Sequence, residues 1–186
     1  NMSDNYEFEE SFMAGTTTVQ AADTSGWIVS ITPSGGWIPA VIAGNTGIGL
    51  SQRMQSFVLD PKDGPYNVLE PGKRPRATLT PTIALKNNEP YLSFAVQGGD
   101  SQDQNLLQFF LNMVEFDMNV QDAVNAPRFH HQWLPDVVIF EEGLLNDEKD
   151  SILSSKNYFT IRLPIEVDTG GMSARSSIGA VDAIFI

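Results

Sequence analysis

The chain has 186 residues, 41% hydrophobic and 18% charged, with a formal net charge of -12 and no cysteine. That length supports one globular domain with its own core, and the acidity argues against nucleic-acid binding, which needs a basic face. Without cysteine there is no disulfide and no thiol nucleophile, and no apolar run approaches the ~20 residues that span a bilayer.

Residues 1–15 carry Asp4, Glu7, Glu9 and Glu10 among isolated Tyr6, Phe8 and Phe12. They read as a flexible acidic segment. A signal peptide would have a basic start and an apolar middle. Residues 17–22 read as a strand, Asp23-Thr24-Ser25-Gly26 as a turn, and residues 27–32 as the returning strand of a hairpin. Pro33-Ser34-Gly35-Gly36 breaks that strand. Residues 37–50 are apolar and glycine-rich, and four prolines in 60–76 point to a long ordered loop.

A second hairpin is expected from Thr82–Leu85 and Tyr91–Val96, closed by Lys86-Asn87-Asn88-Glu89-Pro90 and followed by Gln97-Gly98-Gly99-Asp100. A helix should then begin at Ser101 as its N-cap, with Asp103 near the positive helix end. Leu106, Leu107, Phe110, Leu111 and Val114 share one face at helical spacing. Asn119 is placed to cap a short helix that stops before Pro127. Residues 137–140, 161–167 and 180–186 read as strands and 144–155 as a helix. Strands and helices in this order fit an α+β layered fold.

The stretch from Gly15 to Asp23 carries the chemistry. A threonine hydroxyl is a poor nucleophile without an adjacent base, and one such base is the threonine's own α-amine. Thr16 gains a free amine only if the Gly15–Thr16 bond is cut. The sequence therefore points to an autoprocessed N-terminal nucleophile enzyme, with Gly15–Thr16 as the cleavage site and residues 1–15 as the tail of a pro-segment.

Four motifs strengthen that reading: Pro71-Gly72-Lys73-Arg74-Pro75, Leu79-Thr80-Pro81-Thr82-Ile83, Gln97-Gly98-Gly99-Asp100 and Ala126-Pro127-Arg128-Phe129-His130-His131-Gln132-Trp133. In this order and spacing, residues 16–186 resemble the small, C-terminal subunit of the γ-glutamyltransferase family. The resemblance implies an N-terminal nucleophile hydrolase fold, a four-layer αββα sandwich, of which this chain holds only the small-subunit part. It implies a large N-terminal subunit of the same precursor as partner, and a further strand region beyond the position of Ile186. The large subunit would cover apolar surface of this chain. Without it, self-association into a homo-oligomer is expected. The family is often periplasmic or secreted, and the sequence leaves the compartment open. No metal and no organic cofactor is implied.

Carried over residue by residue, Thr16 matches the family's nucleophile. Ser34 matches a threonine whose hydroxyl bonds near it. Gly98 and Gly99 match the oxyanion hole, where consecutive backbone N–H groups face a developing alkoxide. Thr18 stands where the family often has a histidine. The head-group positions depart from the pattern. Ser56 stands where a carboxylate binds the substrate's α-amine, Arg53 replaces a neighbouring glutamine, and Ala77-Thr78 replaces a serine pair. Losing the carboxylate removes the counter-charge for an ammonium group, and Arg53 favours an anionic group instead. Thr78 and Trp37, beside Gly35-Gly36, are further candidates for the substrate pocket.

The other candidates read as structural. His130 and His131 are adjacent on an extended segment, point to opposite faces and chelate poorly. Trp27 and Trp133 read as core or cleft-wall residues, and Arg128 and Asp100 as candidates for a structural pair. The first functional expectation is thus an amide-bond hydrolase or acyltransferase that is not a typical glutathione enzyme. One alternative is a true γ-glutamyl enzyme whose head-group recognition comes from the large subunit. The other is an unprocessed, non-catalytic homologue.

Overall fold

The computed structural model describes residues 16–34, 41–132, 136–163 and 181–186. The chain divides into two units, which are taken separately. The first draws its described residues from Asn1–Thr17 and Thr32–Leu79; the second consists of Thr18–Ile31 and Thr80–Ile186.

The first unit is mostly turns and isolated bridges, as its proline and glycine content predicts. Ile42 pairs with Gly49 across a tight loop, where the Thr46 hydroxyl donates to the Ala43 carbonyl at 2.6 Å. Val58 pairs in parallel with Val68, which closes the start of the proline-rich loop onto itself. A short 3-10 helix spans Arg53–Ser56; no periodic pattern announces so short a piece.

The second unit holds the regular structure. Strands β1 (Val19–Ala22) and β2 (Ile28–Ile31) form the expected antiparallel hairpin. Asp23 shapes its turn, with a carboxylate oxygen accepting from the backbone N–H groups of Ser25 and Trp27. Strands β3 (Thr82–Lys86) and β4 (Glu89–Val96) form the second hairpin. Asn87 and Asn88 both have positive φ there, 55° and 67°, as a twisted two-residue turn demands. Strand β8 (Val181–Phe185) pairs with the other edge of β4, giving the order β3-β4-β8.

Central β4 is buried on both faces, from Leu92 to Val96. One face carries Leu92, Phe94 and Val96 into a core with Leu106, Phe109, Met113, Ala123 and Val181. Phe94 lies against Phe110 with nearly parallel rings, centroids 5.7 Å apart. Burial of each such side chain contributes about 1.5–3 kcal/mol. On the other face, Ser93 reaches the hairpin and donates to the Val29 carbonyl at 3.2 Å. Helices therefore cover one side of this sheet and the β1–β2 hairpin the other.

Helix α1 (Gln102–Val114) and helix α2 (Val120–Asn125) follow. Asn119 caps α2 as expected, accepting from the Asp122 N–H at 2.9 Å. In α1 the buried face differs from the one the apolar spacing suggests. Gln102, Asn105, Leu106, Phe109 and Met113 point inward, while Leu107, Leu111 and Val114 are exposed. The helix is apolar on two sides, so spacing alone cannot choose the side that meets β4. Ser101 precedes α1 but makes no side-chain cap bond; its hydroxyl donates backwards to the Gly98 carbonyl.

A further three-stranded sheet has the order β5-β6-β7. Strands β5 (Phe129–Gln132) and β6 (Val137–Glu141) are antiparallel, while β6 and β7 (Thr160–Leu163) are parallel. The crossover between parallel strands is helix α3 (Asp147–Ser155), capped by Asn146. Of the expected strands 161–167 and 180–186, only the parts within the described residues are seen. Strand β5 is short and its hydrophobic pattern weak, so the sequence did not announce it. Trp27, expected in a core or cleft wall, lies at the β1–β2 turn and is 73% exposed. Trp133 and residues 1–15 lie outside the described residues.

Candidate active site

Thr16 and Ser34 face each other in an antiparallel bridge. The Thr17 N–H donates to the Pro33 carbonyl at 3.2 Å and holds the two segments together. Directly opposed residues of an antiparallel pair put their side chains on one face, and here Thr16 Oγ1 lies 2.9 Å from Ser34 Oγ. The structure thus joins a nucleophile candidate and its supporting hydroxyl, both singled out from sequence.

Arg53 completes this cluster. Its Nη2 donates to Ser34 Oγ at 2.9 Å, and its Nη1 approaches Thr78 Oγ1 at 3.5 Å. The 3-10 turn sets its backbone: the Arg53 N–H donates to Ser51 Oγ, and the Ser56 hydroxyl to the Arg53 carbonyl at 2.8 Å. Ser56 Oγ also lies 3.2 Å from the Arg76 carbonyl, so its proton is engaged by backbone oxygens. Arg53 Nε is buried without an acceptor, and among the described residues Arg53 forms no ion pair. Among the described residues the side-chain partners of this half-buried cation are the neutral hydroxyls of Ser34 and Thr78, and none of them supplies a counter-charge. Trp37, Gly15, Gly35 and Gly36 lie outside the described residues.

Gly98 and Gly99 belong to the second unit, between the end of β4 and the start of α1. Both have positive φ, 132° and 56°, a backbone that side-chain-bearing residues rarely adopt. Residues Gly99–Ser101 form a 3-10 turn that runs into α1. The Gly98 carbonyl accepts from the Ser101 N–H at 3.1 Å and from the Ser101 hydroxyl at 2.8 Å. The amide of fully buried Asn105 donates to that hydroxyl at 3.2 Å. Beside it, Thr80 Oγ1 lies 3.2 Å from the side-chain oxygen of buried Gln102. No sequence signal pointed to Ser101, Gln102 and Asn105 as the support of this turn; a reader of sequence sees only polar residues in a first helical turn.

Thr18 meets the carboxylate of Asp182. The histidines behave as their alternation in β5 requires. His131 is exposed, with Nε2 2.7 Å from Asp136. His130 is half-buried, and desolvation, followed by the neighbouring His131, lowers its pKa, against the pull of Asp103 and Asp100. Arg128 is paired with Glu141 at 3.4 Å, whose carboxylate also accepts the Arg128 N–H at 2.8 Å. Among the described residues, no group of three or more His, Asp or Glu could hold a metal ion. No helix there is long and apolar enough to cross a membrane.

Comparison with known proteins puts this geometry in context. The family model described as gamma-glutamyltranspeptidase matches residues 3–176. The glutathione hydrolase proenzyme of Escherichia coli strain K12 is 36% identical over 115 residues, 58% of this chain and 20% of that protein. The chain thus spans about a fifth of that relative's length. A threonine-to-alanine mutant of gamma-glutamyltranspeptidase from Helicobacter pylori superposes with a TM-score of 0.75 at 30% identity, covering 91% of this chain and 89% of that one. Cephalosporin acylase from Bacillus halodurans gives 0.72 at 30% identity, covering 90% of this chain and 29% of that one. The fold is therefore that of the N-terminal nucleophile hydrolases, of α+β class.

Proposed function

This chain belongs to the gamma-glutamyltranspeptidase family, and on that premise we propose that it is the nucleophile-bearing part of an autoprocessed enzyme that breaks amide bonds through an acyl-Thr16 ester. The observation that carries the reading is the 2.9 Å contact between Thr16 Oγ1 and Ser34 Oγ, which presents the hydroxyl of the residue after the cleavage point to a second hydroxyl.

The roles follow from the chemistry of the groups. Thr16 Oγ1 attacks the amide carbonyl, and the freed α-amine of Thr16 takes the hydroxyl proton. The backbone N–H groups of Gly98 and Gly99 receive the developing oxyanion, a task that demands close backbone approach. The proton passes to the departing amine, and water or an acceptor amine releases the acyl group. The acyl part is assigned to Arg53, Ser56 and Thr78, with Trp37 a further candidate from its place in the sequence beside Gly35-Gly36. Among the described residues Arg53 has neutral side-chain partners, so an ammonium group there would meet repulsion and a carboxylate would meet a counter-charge. The favoured substrates are amides whose acyl part carries a carboxylate or no free amine. A large subunit from the same precursor supplies the rest of the pocket.

Expression of the full precursor tests the core of this reading. The wild type should yield two chains separated at Gly15–Thr16, and Thr16→Ala should leave one. A Thr16→Ala precursor that still splits there would remove Thr16 from the mechanism. A second reading, favoured by the name of the Escherichia coli relative, assigns glutathione itself as donor, with amine recognition from the large subunit. Glutathione turnover equal to that of the best amine-free amide would support it.

A further inference from the structure

The guanidinium of Arg53 stands one hydroxyl away from Thr16. Nη2 donates to Ser34 Oγ at 2.9 Å, and Ser34 Oγ lies 2.9 Å from Thr16 Oγ1. A guanidinium is charged at every working pH and only donates. Ser34 must therefore accept this bond, and accepting it makes the Ser34 hydroxyl a stronger donor in turn. No carboxylate among the described residues pairs with Arg53, so none of them cancels its charge.

We infer that Arg53 is a positioning residue for the nucleophile, acting through Ser34 to stabilise negative charge on Thr16 Oγ1. This inference rests on Thr16 being the nucleophile, and it assigns to Arg53 a task separate from holding an acyl carboxylate. The two tasks use different edges of one side chain. Nη2 serves Ser34, while among the described residues Nε is buried without an acceptor and Nη1 makes a long approach to Thr78.

Self-cleavage separates them, because it involves no substrate. Oγ1 of Thr16 attacks the Gly15 carbonyl carbon. The new C–O bond forms as the C–N bond breaks, and the hydroxyl proton goes to the departing Thr16 nitrogen. Water then hydrolyses the ester, releasing the Gly15 carboxylate and the free Thr16 hydroxyl and amine. Negative charge develops on Oγ1 at attack and again when the ester oxygen leaves, and a cation beyond Ser34 favours both moments.

The test compares Arg53→Gln, Arg53→Lys, Ser34→Ala and the double variant Arg53→Gln/Ser34→Ala in the full precursor. Self-cleavage rates and, after processing, kcat for a neutral acyl anilide are measured beside thermal unfolding. Arg53→Gln should slow self-cleavage about 10- to 100-fold, below the full loss of a direct oxyanion donor because it acts through one hydroxyl. The neutral anilide should lose kcat by a similar factor with KM little changed. Arg53→Lys should recover part of both rates. In the double variant the losses should not add, since the two residues act in series. Wild-type cleavage with an unchanged rate in well-folded Arg53→Gln overturns the inference, as does a loss confined to carboxylate-bearing substrates. Absence of cleavage in the wild type would instead overturn the assignment of Thr16.

Discussion

Gln104 in α1 holds the backbone of His131 in β5 by both ends of its amide, donating to the carbonyl at 3.0 Å and accepting from the N–H at 2.9 Å. One turn later Gln108 does the same for Phe129, at 2.8 and 3.0 Å. Four residues of helix rise about 6 Å and two residues of strand about 6.6 Å, so the two glutamines match the strand's repeat. Their amides stand in for a neighbouring strand and occupy the open edge of β5, an edge that is otherwise free to pair wrongly.

This pairing predicts a stability effect without a direct chemical one. Replacing both glutamines, Gln104→Leu with Gln108→Leu, removes the four hydrogen bonds to β5, of about 0.5–1.5 kcal/mol each, and with them the bond from Gln108 to the Gln104 carbonyl. Chemical denaturation of the assembled protein should show a loss of a few kcal/mol, and the β5 amides should exchange faster with solvent. Unchanged exchange at His131 would show that the edge is held by something else.

The support of the Gly98–Gly99 turn makes a kinetic prediction. Gly99 has φ of 56°, so Gly99→Val forces a β-branched residue into a backbone it resists. If these N–H groups receive the oxyanion, kcat should fall by about 10²–10³, the usual cost of losing one such donor. Steady-state kinetics on processed protein with intact near-UV circular dichroism checks it; undiminished turnover would dismiss the role.

Substrate choice follows from the cation at Arg53. The ratio of kcat/KM for glutaryl anilide to that for γ-glutamyl anilide should exceed one in the wild type and fall in Arg53→Gln. The two substrates differ only by the α-amino group, so the ratio reads the cost of bringing an ammonium to this site. A wild-type ratio well below one would show that the large subunit rebuilds an amine site, and would favour the γ-glutamyl reading.

His130 sets a pH dependence. Its pKa in the folded protein is lowered from 6.5, first by desolvation and then by His131, with Asp103 and Asp100 opposing. The unfolded chain therefore binds a proton more readily than the folded one. The contribution of His130 to stability is present above about pH 6.5 and is lost as the pH falls below it. Urea midpoints measured from pH 7.5 to 5.5 should decline less in His130→Gln than in the wild type. Parallel declines would assign the loss to other groups.

Much of the fold was legible in the chain itself. The two hairpins followed from alternation and from Asp23 and Asn87-Asn88, whose short side chains suit turns. The cap at Asn119 followed from one polar residue before an apolar run. The identity of Thr16, Ser34, Arg53 and Gly98-Gly99 as candidates came from motif order, because each rests on a residue type and its neighbours along the chain.

Tertiary structure decided what depends on distance between segments. The inward face of α1 could not be read, since Leu106 and Phe109 on one side and Leu107 and Leu111 on the other are equally apolar, and only packing against β4 selects between them. Sequence alone cast Arg53 as a substrate residue. Its bond to Ser34 arises because a bridge at Thr16–Ser34 and a 3-10 turn 19 residues beyond Ser34 come together, and no local periodicity encodes such a meeting. The glutamine clasp on β5 is of the same kind: its spacing makes sense only once a helix and a strand lie side by side.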